Sequence, residues 1–361
     1  MQLHKTTYNP YVTDKDRTSV VMMDVVIALI PCVFMSFLAY RYYPMMVILT
    51  AVGSAMLAEY LFSYIFLKRT DSLADGSAIV TGILMAFTVG PFTPLYVVAF
   101  GGATAVIFGK MLFGGLGRNR FNPALVGREF MTIFFPVIMS SGAIWQEQSL
   151  LYVDDIHIVG NGFFDGLFYN VSGAIGEYSP FFLVLGGLFL LLRRRITWHI
   201  PFAMFVAFGI LLFLFADNMA IFSFGGLFLG GIYMATDMPT SSSNKVGKLY
   251  YGAMIGIICV LCLSNGADKG YFSYSILIMN GFVEPVNSIC RPRVFGENIN
   301  IWKRSGQLAL LTLAIFAVTV VVIVLDNYDA IMYPVLFFVA YTIIRFIMFD
   351  MKGEKQQQRL H

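Results

Sequence analysis

The chain has 361 residues, 58% of them hydrophobic and only 12% charged, with a formal net charge of +3 and a mean hydropathy of +0.74. A soluble globular chain of this length would be about a quarter charged, and a transmembrane β-barrel would alternate in segments of about ten residues; neither pattern is present, and no nucleic-acid partner is expected. What remains is an all-α polytopic membrane protein surrounded by lipid.

Residues 1–19, "MQLHKTTYNPYVTDKDRTS", are polar and lack an apolar core. They read as a cytoplasmic N-terminal tail rather than a cleavable signal. Apolar segments follow at 20–40, 45–67, 77–90, 94–114, 121–138, 179–192, 199–216, 219–236, 249–265, 271–287, 306–325 and 330–350. A helix needs about 20 apolar residues to cross a bilayer. The segments at 77–90, 121–138 and 179–192 are short or interrupted by polar residues. Some read as half-helices, so 10 to 12 spans are expected.

Basic residues fall in every second connection: Lys5, Lys15 and Arg17; Lys68 and Arg69; Arg118 and Arg120; Arg193 to Arg195; Lys245 and Lys248; Arg291, Arg293, Lys303 and Arg304; and Lys352, Lys355 and Arg359. Intervening connections are acidic or neutral, the longest carrying Glu147, Asp154, Asp155, Asp165 and Glu177. The positive-inside rule then puts both termini in the cytoplasm and the long loop outside. The division is a tail at 1–19, a first membrane repeat at 20–138, an external loop at 139–178 and a second repeat at 179–290. A loop with two further spans at 291–350 and a cytoplasmic tail at 351–361 complete it. Each repeat holds an Asn and a Pro inside an apolar run, Asn122/Pro123 and Asn280/Pro285. Five segments per repeat is an odd number, so the halves would be inverted, and interrupted helices in matching positions point to a central site.

The stretch Gly114 to Phe130, "GGLGRNRFNPALVGREF", breaks the apolar pattern most sharply. Its plain reading is a cytoplasmic turn with Asn122 as helix cap and Pro123 at the first helical position. Arg128 and Glu129 lie one to two turns further in, where charge is costly and is expected to face the protein interior. A helix start with free N–H groups can also face a polar headgroup, such as a flavin or quinone. Asp24, Glu59, Lys110, Asp237, Glu284 and Arg345 are further ionisable groups inside or at the edges of spans. Asp24 and Asp237 sit at cytoplasmic ends, where hydration makes them cheap. Glu59, Asp237 and Glu284 are the candidates for an ion path, and inter-helix pairing is the competing reading. The Cys259/Cys262 pair reads as buried helix, no metal site is expected, and no phosphate-binding loop or catalytic triad is visible.

The motifs "DGSAIVTGILMAF", "FGKMLFGGLGRNRFNPALVGREF", "GAIGEYSP", "RRRITWHIP", "YMATDMPTSS" and "ILIMNGFVEPVN" occur in this order. The chain resembles the NqrB/RnfD family over most of its length, with the short N-terminus of the Rnf D subunit rather than the longer tail of the B subunit of sodium-translocating NADH:quinone reductase. The resemblance implies a bacterial inner-membrane electron carrier in a multi-subunit translocase. It would pass electrons between ferredoxin and NAD through flavins, driving Na+ or H+ export, and would not be catalytic alone. It also implies FMN joined through phosphate to a threonine of an S-G-A-T motif on an external loop, and a riboflavin on the cytoplasmic side. Here that loop reads Ser141, Gly142, Ala143, Ile144, Trp145. Ile144 has no hydroxyl and forms no phosphoester, so a non-covalent flavin near Trp145, or near Asn122 and Pro123 on the other side, is the expectation. Restoring threonine at 144 is expected to restore attachment. Two readings from other classes are a small-solute channel or transporter and a flavin-free structural subunit.

Overall fold

The structure, a computed structural model, describes residues 17–68, 72–145, 168–169, 173–215, 222–267, 270–292 and 301–358. Among them every regular element is helical. In lipid a backbone must satisfy its own hydrogen bonds within each segment, and a helix does so. The helices are α1 (Thr18–Tyr40), α2 (Tyr42–Phe62), α3 (Ser77–Ala86), α4 (Leu95–Gly109), α5 (Pro123–Phe134), α6 (Pro180–Leu192) and α7 (His199–Phe215). They continue with α8 (Phe224–Leu229), α9 (Lys245–Ser264), α10 (Tyr271–Gly281), α11 (Val283–Ile289), α12 (Ile301–Asn327) and α13 (Met332–Gln358). α2 and α8 each run on into a wider π turn, Ser63–Leu67 and Gly230–Met234.

Each of the twelve expected apolar segments contains a helix, and among the described residues five stretches are long and apolar enough to cross a membrane unaided. α3, with 10 residues, rises about 15 Å, half of a bilayer core. Two segments are interrupted, in line with the polar break of 121–138 and the Asn280/Pro285 pair of 271–287. The run at 121–138 does not stay helical: α5 stops at Phe134, and a single turn Pro136–Met139 follows. The run at 271–287 breaks at Phe282 into α10 and α11. Pro285 lacks the N–H that would bond back to Gly281, which explains the break.

Small residues set the spacing. A Cβ on Gly102 of α4 would lie 2.7 Å from the Ala51 carbonyl oxygen of α2. A Cβ on Gly256 of α9 would lie 2.5 Å from the Met204 carbonyl oxygen of α7. Glycine lets each backbone pair approach closely, which is how helices associate where lipid is as apolar as leucine. The core runs through these contacts and includes Leu29, Ala51, Met85, Leu125, Met204, Ile255 and Met279. The expected external loop falls mostly outside the described residues, with Glu147, Asp154, Asp155 and Asp165 among those not described, as do most of the first tail and residues 359–361.

Candidate functional site

Five elements leave a cavity of about 420 Å³ between them. α1 contributes Thr18, Met22 and Val25; α3 contributes Ser77, Val80, Thr81 and Leu84; α5 contributes Asn122, Pro123 and Ala124. Leu190 and Arg195 close it from the end of α6, and Ile232, Tyr233, Thr236 and Asp237 from the π turn after α8 and its exit. Lys110 and Asn119 complete the wall. The cavity lies where α1 and α5 begin and α4 and α6 end, so Arg118, Arg120, Arg193 and Arg195 belong to the same end of the bundle. Arg41, in the α1–α2 turn, stands at the other end.

Asn122 caps α5: its Oδ1 accepts from the N–H groups of Ala124 (3.0 Å) and Leu125 (3.4 Å). Pro123 occupies the first helical position, where no N–H is needed. The same asparagine also ties the bundle together. Its backbone N–H donates to Asn280 Oδ1 at 2.9 Å, and its Nδ2 donates to the Met234 carbonyl at 3.1 Å. Asn280 Nδ2 in turn donates to the Thr240 carbonyl and the Tyr251 hydroxyl, both at 2.8 Å. The two asparagines singled out in the sequence are therefore joined at the cavity floor. Asn122 shapes the wall with its polar atoms already engaged, and Pro123 supplies an apolar surface.

Glu59 is buried, not solvated. Lys110 Nζ donates to both its oxygens at 2.7 and 2.8 Å, and also to Ser77 Oγ. Asp75 Oδ2 lies 3.9 Å from the same ammonium. Lys110 lines the cavity while Glu59 stands behind it, so the inter-helix pair is the arrangement this ion-path candidate adopts. Asp24 corrects the hydration argument. It is 4% exposed, and its low cost comes from Arg195 at 2.6 Å and Arg193 at 3.1 Å. Asp237 faces the cavity beyond the end of α8. Burial pushes its carboxyl up to about 6, against hydrogen bonds from Thr240 and Asn119. Glu284 lies apart, on the surface, 3.7 Å from Arg120.

Arg128 and Glu129 face the interior as expected, paired at 2.5 Å. Sequence reasoning missed the partners around them: Glu177, Tyr271 and Tyr274. It also missed Lys110 as the counter-charge of Glu59. A lysine inside "FGKMLF" was a usable signal, since a buried cation requires an acid within reach.

The Ser141 to Trp145 stretch does not fit a covalently attached flavin. Ile144 is 4% exposed, its N–H bonds to the Ser141 carbonyl, and its carbonyl accepts from the Phe92 N–H. Gly142 and Ala143 are exposed, and Ser141 Oγ accepts from the Ala143 N–H. Trp145 is half-buried over Gly90, where a Cβ would come within 3.3 Å of its ring. The attachment position is thus filled by a packing residue.

Helices of mixed length around a cavity walled by half-helices define a polytopic all-α membrane protein. The sequence profile of the NQR2, RnfD, RnfE family matches residues 5–296, and the chain belongs to this family. It is 31% identical over 317 residues to the D subunit of the proton-translocating ferredoxin:NAD(+) oxidoreductase complex of Clostridium ljungdahlii, covering 80% of this chain and 95% of that protein. It is 29% identical to the D subunit of the Na(+)-translocating ferredoxin:NAD(+) oxidoreductase complex of Acetobacterium woodii, over 80% of this chain and 94% of the relative. It is also 29% identical to the D subunit of the ion-translocating oxidoreductase complex of Stutzerimonas stutzeri, over 78% and 94%.

Proposed function

We propose that this chain is the membrane electron-carrier subunit of a multi-subunit, redox-driven cation pump that passes electrons between ferredoxin and NAD. Family membership supports the class, and the names of the three relatives support the Rnf D subunit over the B subunit of the quinone reductase. One relative's name specifies protons and another's sodium ions, so the proposal is for export of a monovalent cation. It places the chain in a bacterial inner membrane with both termini cytoplasmic and with two inverted five-helix halves. α2 packing on α4, and α7 packing on α9, supports that pairing of halves.

The observation that carries the reading is the 420 Å³ cavity. Its size is that of a small-molecule site with apolar faces and a few polar groups. Val80, Leu84 and Ile232 offer flat apolar contact, while Asn119, Thr81 and Arg195 offer polar atoms. A non-covalent flavin bound there would supply one-electron carriage. The residues themselves would exclude water, orient the ring between α3 and the α8 turn, and hold charge through Asp237 and Arg195. The 140–145 loop, with Ile144 buried, is proposed to carry no covalently attached flavin.

Deleting the chain from the assembled complex should abolish ferredoxin-dependent NAD reduction in membranes together with the ion gradient. Undiminished electron transfer would overturn the reading. A cysteine placed at position 146 should react with an impermeant reagent in intact cells. Labelling only after permeabilisation would reverse the orientation.

A further inference from the structure

Away from the cavity, beyond the C-terminal end of α3, several elements bring ionisable groups together. α5 supplies Arg128 and Glu129. The short turn Ile175–Glu177 supplies Glu177, with Tyr178 beside it. α10 supplies Tyr271 and Tyr274, and Tyr274 donates to Asp326 Oδ1 of α12 at 2.7 Å. The turn is docked firmly: Ile175 and Gly176 donate backbone hydrogen bonds to the carbonyls of Val89 and Phe87. Two glycines let α8 close over Glu177. A Cβ on Gly225 would meet the Glu177 carbonyl oxygen at 2.3 Å, and one on Gly226 would meet its Oε1 at 2.9 Å.

Among the described residues, charge around Arg128 does not balance. Glu129 Oε1 takes the Arg128 guanidinium at 2.5 Å, while Glu129 Oε2 is buried with no hydrogen-bond partner. The same guanidinium acts on Glu177. Among the described residues two carboxylates therefore draw on one guanidinium, in a largely enclosed setting that also holds the Tyr271 and Tyr274 hydroxyls. An excess anion in low dielectric is neutralised by a bound cation or by a proton. Among the described residues no three of His, Cys, Asp and Glu come together closely enough to hold a metal ion, and a proton needs only the one carboxyl.

We propose that the Arg128 cluster is a proton-binding site in which Glu177 is the group that takes up and releases the proton. Water supplies the proton and receives it, one carboxyl O–H bond forming or breaking, with no redox change. Glu129 holds Arg128 and so keeps Glu177 from being permanently ionised. The groups facing Glu177 are Arg128 from α5, Tyr271 from α10, its neighbour Tyr178, and the Ser223 hydroxyl ahead of α8. Burial pushes the Glu177 carboxyl up to about 7, against the bonds from Ser223 and Ala174 and the charge of Arg128. The proposal concerns the folded chain and does not depend on the electron-transfer reading.

The test is infrared titration of the full-length purified chain, following the C=O stretch of protonated carboxyl groups. One band should titrate near pH 7 and be missing in Glu177→Gln. In Glu129→Gln, Arg128 is released to Glu177, and the midpoint should fall by about one pH unit or more, a tenfold or greater loss of proton affinity. A band with its midpoint near pH 7 that survives Glu177→Gln, as distinct from the Asp237 carboxyl near 6, or no band titrating near 7, would overturn the proposal. So would an unmoved midpoint in Glu129→Gln. Should Glu177→Gln fail to fold, the direction of the Glu129→Gln shift decides alone.

Discussion

The two ends of the bundle treat buried charge differently. At the cavity end two buried acids have their own bases, Glu59 with Lys110 and Asp24 with Arg193 and Arg195, while Asp237 is held by the Thr240 hydroxyl. The asparagine network there leaves no polar atom of Asn122 or Asn280 idle. At the other end, among the described residues, one arginine acts on two glutamates, and a buried carboxylate oxygen lacks a partner. Balanced pairs fix a shape; an unbalanced group responds to pH. The first arrangement suits a wall that must hold a cavity open, and the second suits a site whose charge changes.

The largest expected effect breaks the balanced end. Removing one partner of a buried pair strands a charge and costs about 3–5 kcal/mol. Lys110→Met or Glu59→Leu alone should therefore lower the Tm in detergent strongly, while the double variant should recover most of the loss. Additive losses would show that the two side chains are not a pair. Next comes Asn280→Ala, which removes the acceptor of the Asn122 N–H and the donor to Thr240 and Tyr251. Buried groups left unsatisfied should cost about 2 kcal/mol, and weaken ligand retention in the cavity. Wild-type thermal stability and ligand retention would count against the network.

A smaller effect concerns Ile144→Thr. The side chain at 144 points into protein, so the new hydroxyl is buried, at a cost of about 1 kcal/mol, and stays out of reach of a flavin-attaching enzyme. Co-expressed with that enzyme, the variant should show no fluorescent band on a denaturing gel. A band would restore the simpler expectation that the hydroxyl alone is missing.

A pH-dependent effect sharpens the unbalanced end. Glu177 has a raised folded-state pKa, so the folded chain binds more protons than the unfolded chain between the ordinary carboxyl value and about 7. Stability should then fall as pH rises through that window and level off above it. Glu177→Gln should lack this slope, gaining Tm over wild type at pH 8 and not at pH 5. Parallel pH profiles would remove Glu177 as the titrating group.

Much of this was legible from sequence for a physical reason: lipid imposes long apolar runs, and every segment drawn from them holds a helix. The cap at Asn122 and the break near Pro285 also follow from local chemistry, since a side-chain oxygen or a missing N–H acts within one turn. The join between Asn122 and Asn280 was legible only as a matching position in two halves. Glu177 was read as one more acid of an external loop, because nothing in "GAIGEYSP" tells that the turn docks on Phe87 and Val89. The burial of Ile144 was hidden similarly: a single aliphatic residue in a short turn carries no periodicity. Asp24 shows the limit of depth arguments, since its compensation comes from arginines about 170 positions away.

The central claim is that the chain carries electrons on a flavin held without a covalent bond. The most direct measurement is the visible absorbance of the purified chain within its complex, followed by in-gel fluorescence of this chain after denaturation and washing. Flavin bands attributable to this chain in the native complex, with no fluorescence in its denatured band, are the expected result. A chain without flavin absorbance, or a denatured band that still fluoresces, would contradict the account.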